Sequence, residues 1–180
     1  MAENKIIFTG PVGVGKTTAI AALSDDPPIK TDARASDMTT SMKSHTTVAM
    51  DYGVIHLDEK TKVHLYGTPG QERFDFMWDI LSQGSMGLVL LLDNTRSNPL
   101  KDLKFFLDSF SDLLKTAPVV VGVTKMDLKA TPGIEVYQKY LLQYGMNVPV
   151  FEIDARNEND VKQLVTCLLY TSDAADERSS

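Results

Sequence analysis

The sequence predicts an α/β chain: a doubly wound, mostly parallel sheet with one antiparallel edge strand. Three observations predict it. Short continuous apolar runs alternate with segments whose apolar residues recur at helical spacing. A glycine-rich stretch over residues 10–15 separates the first run from the first helical segment. Residues 48–66 read as two strands around a charged turn.

The elements follow in order. Ile6, Ile7 and Phe8 form a short strand. Residues 16–23, rich in alanine, form a helix stopped at Asp25-Asp26-Pro27-Pro28, because proline cannot continue the hydrogen-bond ladder. Residues 29–47, rich in Ser, Thr, Asp and Met and without a period, read as a long, mobile loop, a kind that is usually functional or disordered. Val48, Met50, Tyr52 and Val54 alternate along the next strand, Asp58-Glu59-Lys60 turns the chain, and residues 62–66 return as the second arm of a hairpin. Residues 84–93 and 117–124 are continuous apolar runs, as parallel strands covered on both faces require, and residues 148–153 are a third. Leu100, Leu103, Leu107, Phe110 and Leu114 lie on one face of a single helix. Ile134, Tyr137, Leu141 and Tyr144 mark another, with Thr131 as its N-cap and Pro132 at its first position. Val161, Leu164 and Val165 open a last helix.

At 180 residues, 43% apolar and 23% charged, the chain fits one globular domain, read as residues 1–166. Residues 167–180 form an atypical tail, either translated read-through or a frayed natural end. The net charge of −6 argues against a nucleic-acid partner. The single Cys167 excludes a disulfide framework and a cysteine-built zinc site. No apolar run reaches membrane-spanning length, and the N-terminus shows no signal peptide, so a soluble cytoplasmic protein is expected.

Gly10-Pro11-Val12-Gly13-Val14-Gly15-Lys16-Thr17 matches G-x-x-x-x-G-K-[ST] between a strand and a helix. Glycines let backbone N–H groups turn inward around an anion, and the helix N-terminus adds partial positive charge. Lys16 suits the β- and γ-phosphates, and the Thr17 hydroxyl suits Mg²⁺. This pattern points to a nucleoside triphosphate and leaves the base open. Further landmarks follow at strand ends: Thr47-Val48-Ala49-Met50-Asp51-Tyr52, Gly67-Thr68-Pro69-Gly70-Gln71-Glu72, Thr124-Lys125-Met126-Asp127 and Asp154-Ala155-Arg156.

Taken in order, these motifs resemble those of Ras-like small GTPases, P-loop NTPases of the G-domain type. Within that group they are similar to the bacterial branch containing the gliding-motility GTPases, over roughly residues 5–166. The resemblance implies a Mg²⁺-dependent, GTP-binding and GTP-hydrolysing switch. Nucleotide binding would fall to Gly10, Gly13, Val14, Gly15, Lys16, Thr17, Thr18 and Gly70 on the phosphate side. Thr124, Lys125, Asp127, Ala155 and Arg156 would serve the base side. Thr17 and Thr47 would hold the metal, with Thr46 the adjacent alternative. Lys16 and Gln71 would be catalytic, Gln71 by orienting water. The Asp127 carboxylate would accept the N1–H and exocyclic amino hydrogens of guanine. Two positions depart from the pattern: Gly67 stands where an aspartate is usual, and Thr124 where an asparagine is usual. A regulatory protein partner of the roadblock type would act on residues 30–47 and 67–80.

Two other functions stay open at this point: a pseudo-GTPase that binds nucleotide without turnover, and a small-molecule P-loop kinase. His45, His56 and His64 lack metal-ligand spacing, Asp93 reads as a strand terminator, and Arg34 and Arg73 read as surface residues, with a swing toward the γ-phosphate as the alternative. Phe74, Met77, Trp78 and Leu81 read as a core-facing stripe, with Phe76 off it.

Overall fold

The structure is a computed structural model and describes residues 4–25, 29–30, 51–68 and 82–179. Strand β1 (Lys5–Thr9) leads through the glycine-rich loop into α1 (Lys16–Leu23). The two-residue β2 (Ile29–Lys30) is followed by β3 (Asp51–His56) and β4 (Lys62–Gly67). Then come β5 (Gly87–Asp93), α2 (Pro99–Ser109), α3 (Ser111–Leu114) and β6 (Val119–Thr124). Helix α4 (Ile134–Tyr144), β7 (Val150–Glu152) and α5 (Glu158–Ser179) complete the described chain.

The described strands make one sheet in the order β2-β3-β4-β1-β5-β6-β7. Strand β3 alone runs against its neighbours, with β2 outside it at the edge; every other pairing is parallel. The predicted hairpin is the β3–β4 pair. Its turn is fixed by the Asp58 carboxylate, which accepts from the Lys60 and Thr61 N–H groups at 2.8 and 2.7 Å.

Strand β5 is buried along its whole length, and its side chains divide by parity between two cores. Val89 and Leu91 join Ile6, Phe8 and Val120 under α1 and α5, while Leu88, Leu90 and Leu92 join Ile7, Val121 and Val123 under α2 and α4. This two-sided covering aligns the carboxyl ends of β1, β5 and β6 along one rim, where the loops that carry the motifs begin.

Three sequence expectations change. The single helix expected over Leu100–Leu114 is interrupted at Phe110 (φ −105°, ψ 21°). The Ser109 hydroxyl donates to the Phe105 carbonyl at 2.8 Å, which competes with the helix ladder, and Leu113 takes the buried place expected of Leu114. Helix α4 starts at Ile134 with Gly133 as N-cap, so Thr131 does not cap it and Pro132 is not its first residue. Tertiary contacts override the local signal there: Asn94, fully buried, donates from Nδ2 to the Lys129 and Pro132 carbonyls at 2.7 and 3.1 Å and holds the segment in a loop. The Thr131–Pro132 peptide is cis. Finally, α5 crosses the boundary drawn at residue 166. Leu168 is 2% exposed, and its side chain lies 3.2 Å from where a Cβ on Gly87 would stand. The packed part of the domain therefore includes Leu168.

Candidate functional site

The glycine-rich loop is shaped by contacts that no side chain would permit. Gly10 has φ +149°, and a Cβ there would lie 2.3 Å from the Leu91 carbonyl oxygen. Gly15 has φ +114°, and its Cβ would meet the Ala155 Cβ at 2.9 Å, so the phosphate loop presses against the loop after β7. No side chain caps α1. No side chain therefore competes for its first-turn N–H groups, and an uncapped helix N-terminus suits an anion.

Lys16 opens α1 and is only 7% exposed. Its Nζ donates to the Gly10 and Pro11 carbonyls at 2.7 and 3.0 Å. Burial pushes its pKa down to about 8, against the opposing pull of the Asp51 charge. Its hydrogen bonds go to neutral carbonyls, so a phosphate would add the directly bonded negative charge that the ammonium lacks.

Thr17 directs its hydroxyl outward and donates to Asp51 Oδ2 at 2.6 Å. Asp51 is the first residue of β3, and its cross-strand partner is Gly67. A Cβ on Gly67 would stand 3.1 Å from the Asp51 Cβ and 3.3 Å from its Oδ2. The space that an aspartate at 67 would use is thus bordered by a carboxylate from the neighbouring strand. Beside it, the Thr9 and Thr68 hydroxyls share a buried hydrogen bond of 2.8 Å, and the Thr68 N–H donates to the Phe8 carbonyl at 2.9 Å. Those bonds fix where the chain leaves β4.

On the other side of the loop lies a cavity of about 360 Å³. It is lined by Gly13, Gly15 and Thr18 from the phosphate loop and α1, and by Lys125, Asp127 and Ala155 from the loops after β6 and β7. Val14, Thr124 and Arg156 are also among its lining residues. Thr124, 3% exposed, donates to the Leu92 carbonyl at 3.1 Å and reaches the Val14 carbonyl at 3.4 Å. It therefore braces β6 to the phosphate loop itself. Lys125 has φ +64°, the one positive value among the described non-glycine residues, and its Nζ donates to the Gly13 carbonyl at 3.1 Å and Asp93 Oδ2 at 2.9 Å. Arg156 forms a two-pronged pair with Asp154 at 3.0 and 2.9 Å, which pulls the Asp154 carboxyl down to about 2.

The predicted site residues Gly10, Gly13 to Thr18, Thr124, Lys125, Asp127, Ala155 and Arg156 all lie around this loop and cavity. Thr47, Gly70 and Gln71 lie outside the described residues, as do Thr46 and the stripe from Phe74 to Leu81. Sequence reasoning missed Asp51 and the grip of Asp93 on Lys125. Among the described residues no cluster of three or more His, Cys, Asp or Glu side chains is built to hold a metal, and no helix is long and apolar enough to cross a membrane.

Known proteins similar to this chain fall into two groups. A family described as "Conserved hypothetical ATP binding protein" matches residues 26–172. An uncharacterized protein of Methanocaldococcus jannaschii is 30% identical over 137 residues, covering 75% of this chain and 78% of its own. The Ras-related protein RabC of Dictyostelium discoideum is 24% identical, covering 97% and 86%, and the Ras-related protein SEC4 of Saccharomyces cerevisiae is 24% identical, covering 89% and 70%. The chain is a nucleotide-binding P-loop protein of GTPase-like kind, and it belongs to the family described as conserved hypothetical ATP binding proteins.

Proposed function

We propose that this protein is a Mg²⁺-dependent guanine-nucleotide switch that hydrolyses GTP to GDP and phosphate. One observation carries the reading: glycines of the phosphate loop and Asp127 line the same cavity. A carboxylate at that place accepts two hydrogens from the guanine edge, and adenine offers no such pair. The family's description speaks of ATP, but its match begins at residue 26, beyond the phosphate loop.

The residues present fit a hard divalent cation. Thr17 and Asp51 supply oxygen donors 2.6 Å apart beside the phosphate loop, and Mg²⁺ is commonly held by one or two side chains plus phosphate oxygens and water. When bound, the ion would neutralise charge on the phosphates. Thr17 would contact it, with Thr47, and Asp51 would accept a hydrogen bond from the Thr17 hydroxyl or from a water on the metal. Asp51 thereby supplies the carboxylate that Gly67 lacks.

Lys16 holds the phosphates with the loop N–H groups, and its ammonium offsets the negative charge that develops on the leaving oxygen as the terminal phosphoryl group is transferred to water. Gln71 orients the attacking water. Thr124, by bonding the Val14 carbonyl, serves the bracing role expected of an asparagine. The two departures from the usual motifs are thus answered by other groups, which favours turnover over a silent binding module. Turnover would be slow without help: among the described residues Arg96 is engaged by Asp102 and Arg156 by Asp154, and a finger supplied by a partner contributes about 10³ to 10⁵ in rate. A roadblock-type activator acting on residues 30–47 and 67–80 belongs to this reading, as do a place beside the gliding-motility GTPases and a cytoplasmic location.

The test is displacement of a fluorescent guanine nucleotide by excess GDP or ATP, with and without Mg²⁺. GDP is expected to displace it and ATP to fail. Equal displacement by both would sink the base assignment.

A further inference from the structure

Resting on that guanine reading, we propose that Asp93 is a positioning residue that sets base recognition by anchoring Lys125. Asp93 ends β5 and pairs in register with Thr124, the last residue of β6. It is 6% exposed, far more buried than a strand terminator needs to be. Its carboxylate is fully engaged. Oδ1 accepts from the Thr95 N–H at 2.9 Å and the Thr95 hydroxyl at 2.5 Å, and Oδ2 accepts from Lys125 Nζ at 2.9 Å.

Lys125 stands immediately after β6 in a left-handed backbone conformation, which a side-chain-bearing residue holds only when its surroundings fix it. Two groups fix it. The Gly13 carbonyl binds the ammonium to the phosphate loop, and Asp93 binds it to the end of β5. A carbonyl offers a dipole, whereas the carboxylate offers a full charge in a poorly hydrated place, so Asp93 is the stronger anchor. Burial pushes the Asp93 carboxyl up, but the hydrogen bonds from Thr95 and Lys125 outweigh it and hold the group below the ordinary range, charged at neutral pH. Asp127 follows Lys125 by two residues on the same turn, so the lysine's anchor fixes the carboxylate that faces the base.

Asp93 is one residue removed from that chemistry, so its effect is to be read as discrimination rather than as binding alone. The experiment measures Kd for GDP, IDP and ADP on the full chain, in wild type and in Asp93→Asn. IDP lacks the exocyclic amino group, so the GDP-to-IDP ratio reports the placement of Asp127. Asp93→Asn is expected to weaken GDP about tenfold and ADP little, lowering both ratios toward one. In a Lys125→Ala background the same substitution is expected to change nothing further. Thr95→Val, which leaves the Lys125 contact in place, is expected to keep the wild-type ratios. Asp93→Ser keeps a short polar group for the Thr95 turn and is the second variant should Asp93→Asn not fold.

Unchanged ratios in folded Asp93→Asn or Asp93→Ser would overturn the proposal while leaving the guanine reading intact. So would an equal loss with and without Lys125. A wild type that binds ADP as tightly as GDP would overturn the guanine reading, and this proposal with it.

Discussion

Replacing Asp51 by asparagine tests whether the carboxylate missing at residue 67 is supplied across the strand pair. Asparagine preserves shape and still accepts a hydrogen bond from Thr17, so the change isolates charge. The magnitude follows from the contact. A cation bound to the Thr17 oxygen at about 2.1 Å has a carboxylate oxygen 2.6 Å beyond that oxygen, a separation of about 4.7 Å at most. A divalent ion and a unit charge at that distance attract by about 1.8 kcal/mol even at the dielectric of water. That corresponds to about twentyfold in affinity, within the 10- to 100-fold typical of outer-shell partners. The assay is the Mg²⁺ concentration needed for half-maximal GDP retention, followed by fluorescence. Asp51→Asn is expected to raise it about twentyfold, while GDP affinity in excess chelator stays level or improves, since a negative group near phosphate is gone. Exchanging the pair, Asp51→Gly with Gly67→Asp, is expected to recover most of the Mg²⁺ dependence. A single variant with wild-type Mg²⁺ response would refute the reasoning.

Lys16 gives a pH prediction. Its pKa is lowered to about 8 in the free protein and phosphates would raise it, so nucleotide affinity is highest below pH 8 and falls above it, by up to tenfold per pH unit. Titration of GDP binding from pH 6.5 to 9.5 checks this. For stability the sign is opposite: the buried ammonium is a cost below pH 8, and stability without nucleotide rises between pH 8 and the unfolded value of 10.5, apart from other groups. Leu168→Ala is expected to destabilise by about 2–5 kcal/mol in urea unfolding, because it empties the contact over Gly87; a change under about 0.5 kcal/mol would detach α5 beyond residue 166 from the core. Asn94→Ala leaves the buried Tyr137 hydroxyl without its acceptor and the loop over residues 125–133 without its two anchors, and is expected to cost at least about 2 kcal/mol by the same measurement.

What the sequence made legible was whatever repeats locally. The two-sided burial of β5 was readable because residues 87–92 are apolar without a break, and the phosphate loop because its spacing is itself the mechanism. What it hid was decided by groups distant along the chain. Thr131-Pro132 has the local form of a helix start, but Asn94, more than thirty residues earlier, holds the Pro132 carbonyl and moves that start to Ile134. The stripe ending at Leu114 was right in spacing, yet one hydroxyl at Ser109 shifted its last buried position to Leu113. Residues 167–180 looked foreign by composition, although Leu168 completes the α5 face.

The two acidic residues that the sequence reading passed over differ in how far they were hidden, and the difference is one of register. In an antiparallel hairpin the turn sets the register, and here the turn was recognised. Asp58 closes it, His56 pairs with Lys62, and the fifth residue back therefore meets the fifth residue on: Asp51 faces Gly67. The carboxylate beside the glycine was available from counting alone, and the alternation of Val48, Met50, Tyr52 and Val54 already set Asp51 on the opposite face. No such count exists for Asp93. Strands β5 and β6 run parallel through a crossover that includes α2 and α3, and nothing in the intervening residues states that Asp93 will stand level with Thr124. That register is fixed by packing Leu88, Leu90 and Leu92 over one core and Val89 and Leu91 over the other. A carboxylate placed by a turn is readable in one dimension, whereas one placed by a crossover becomes visible only when the core is assembled.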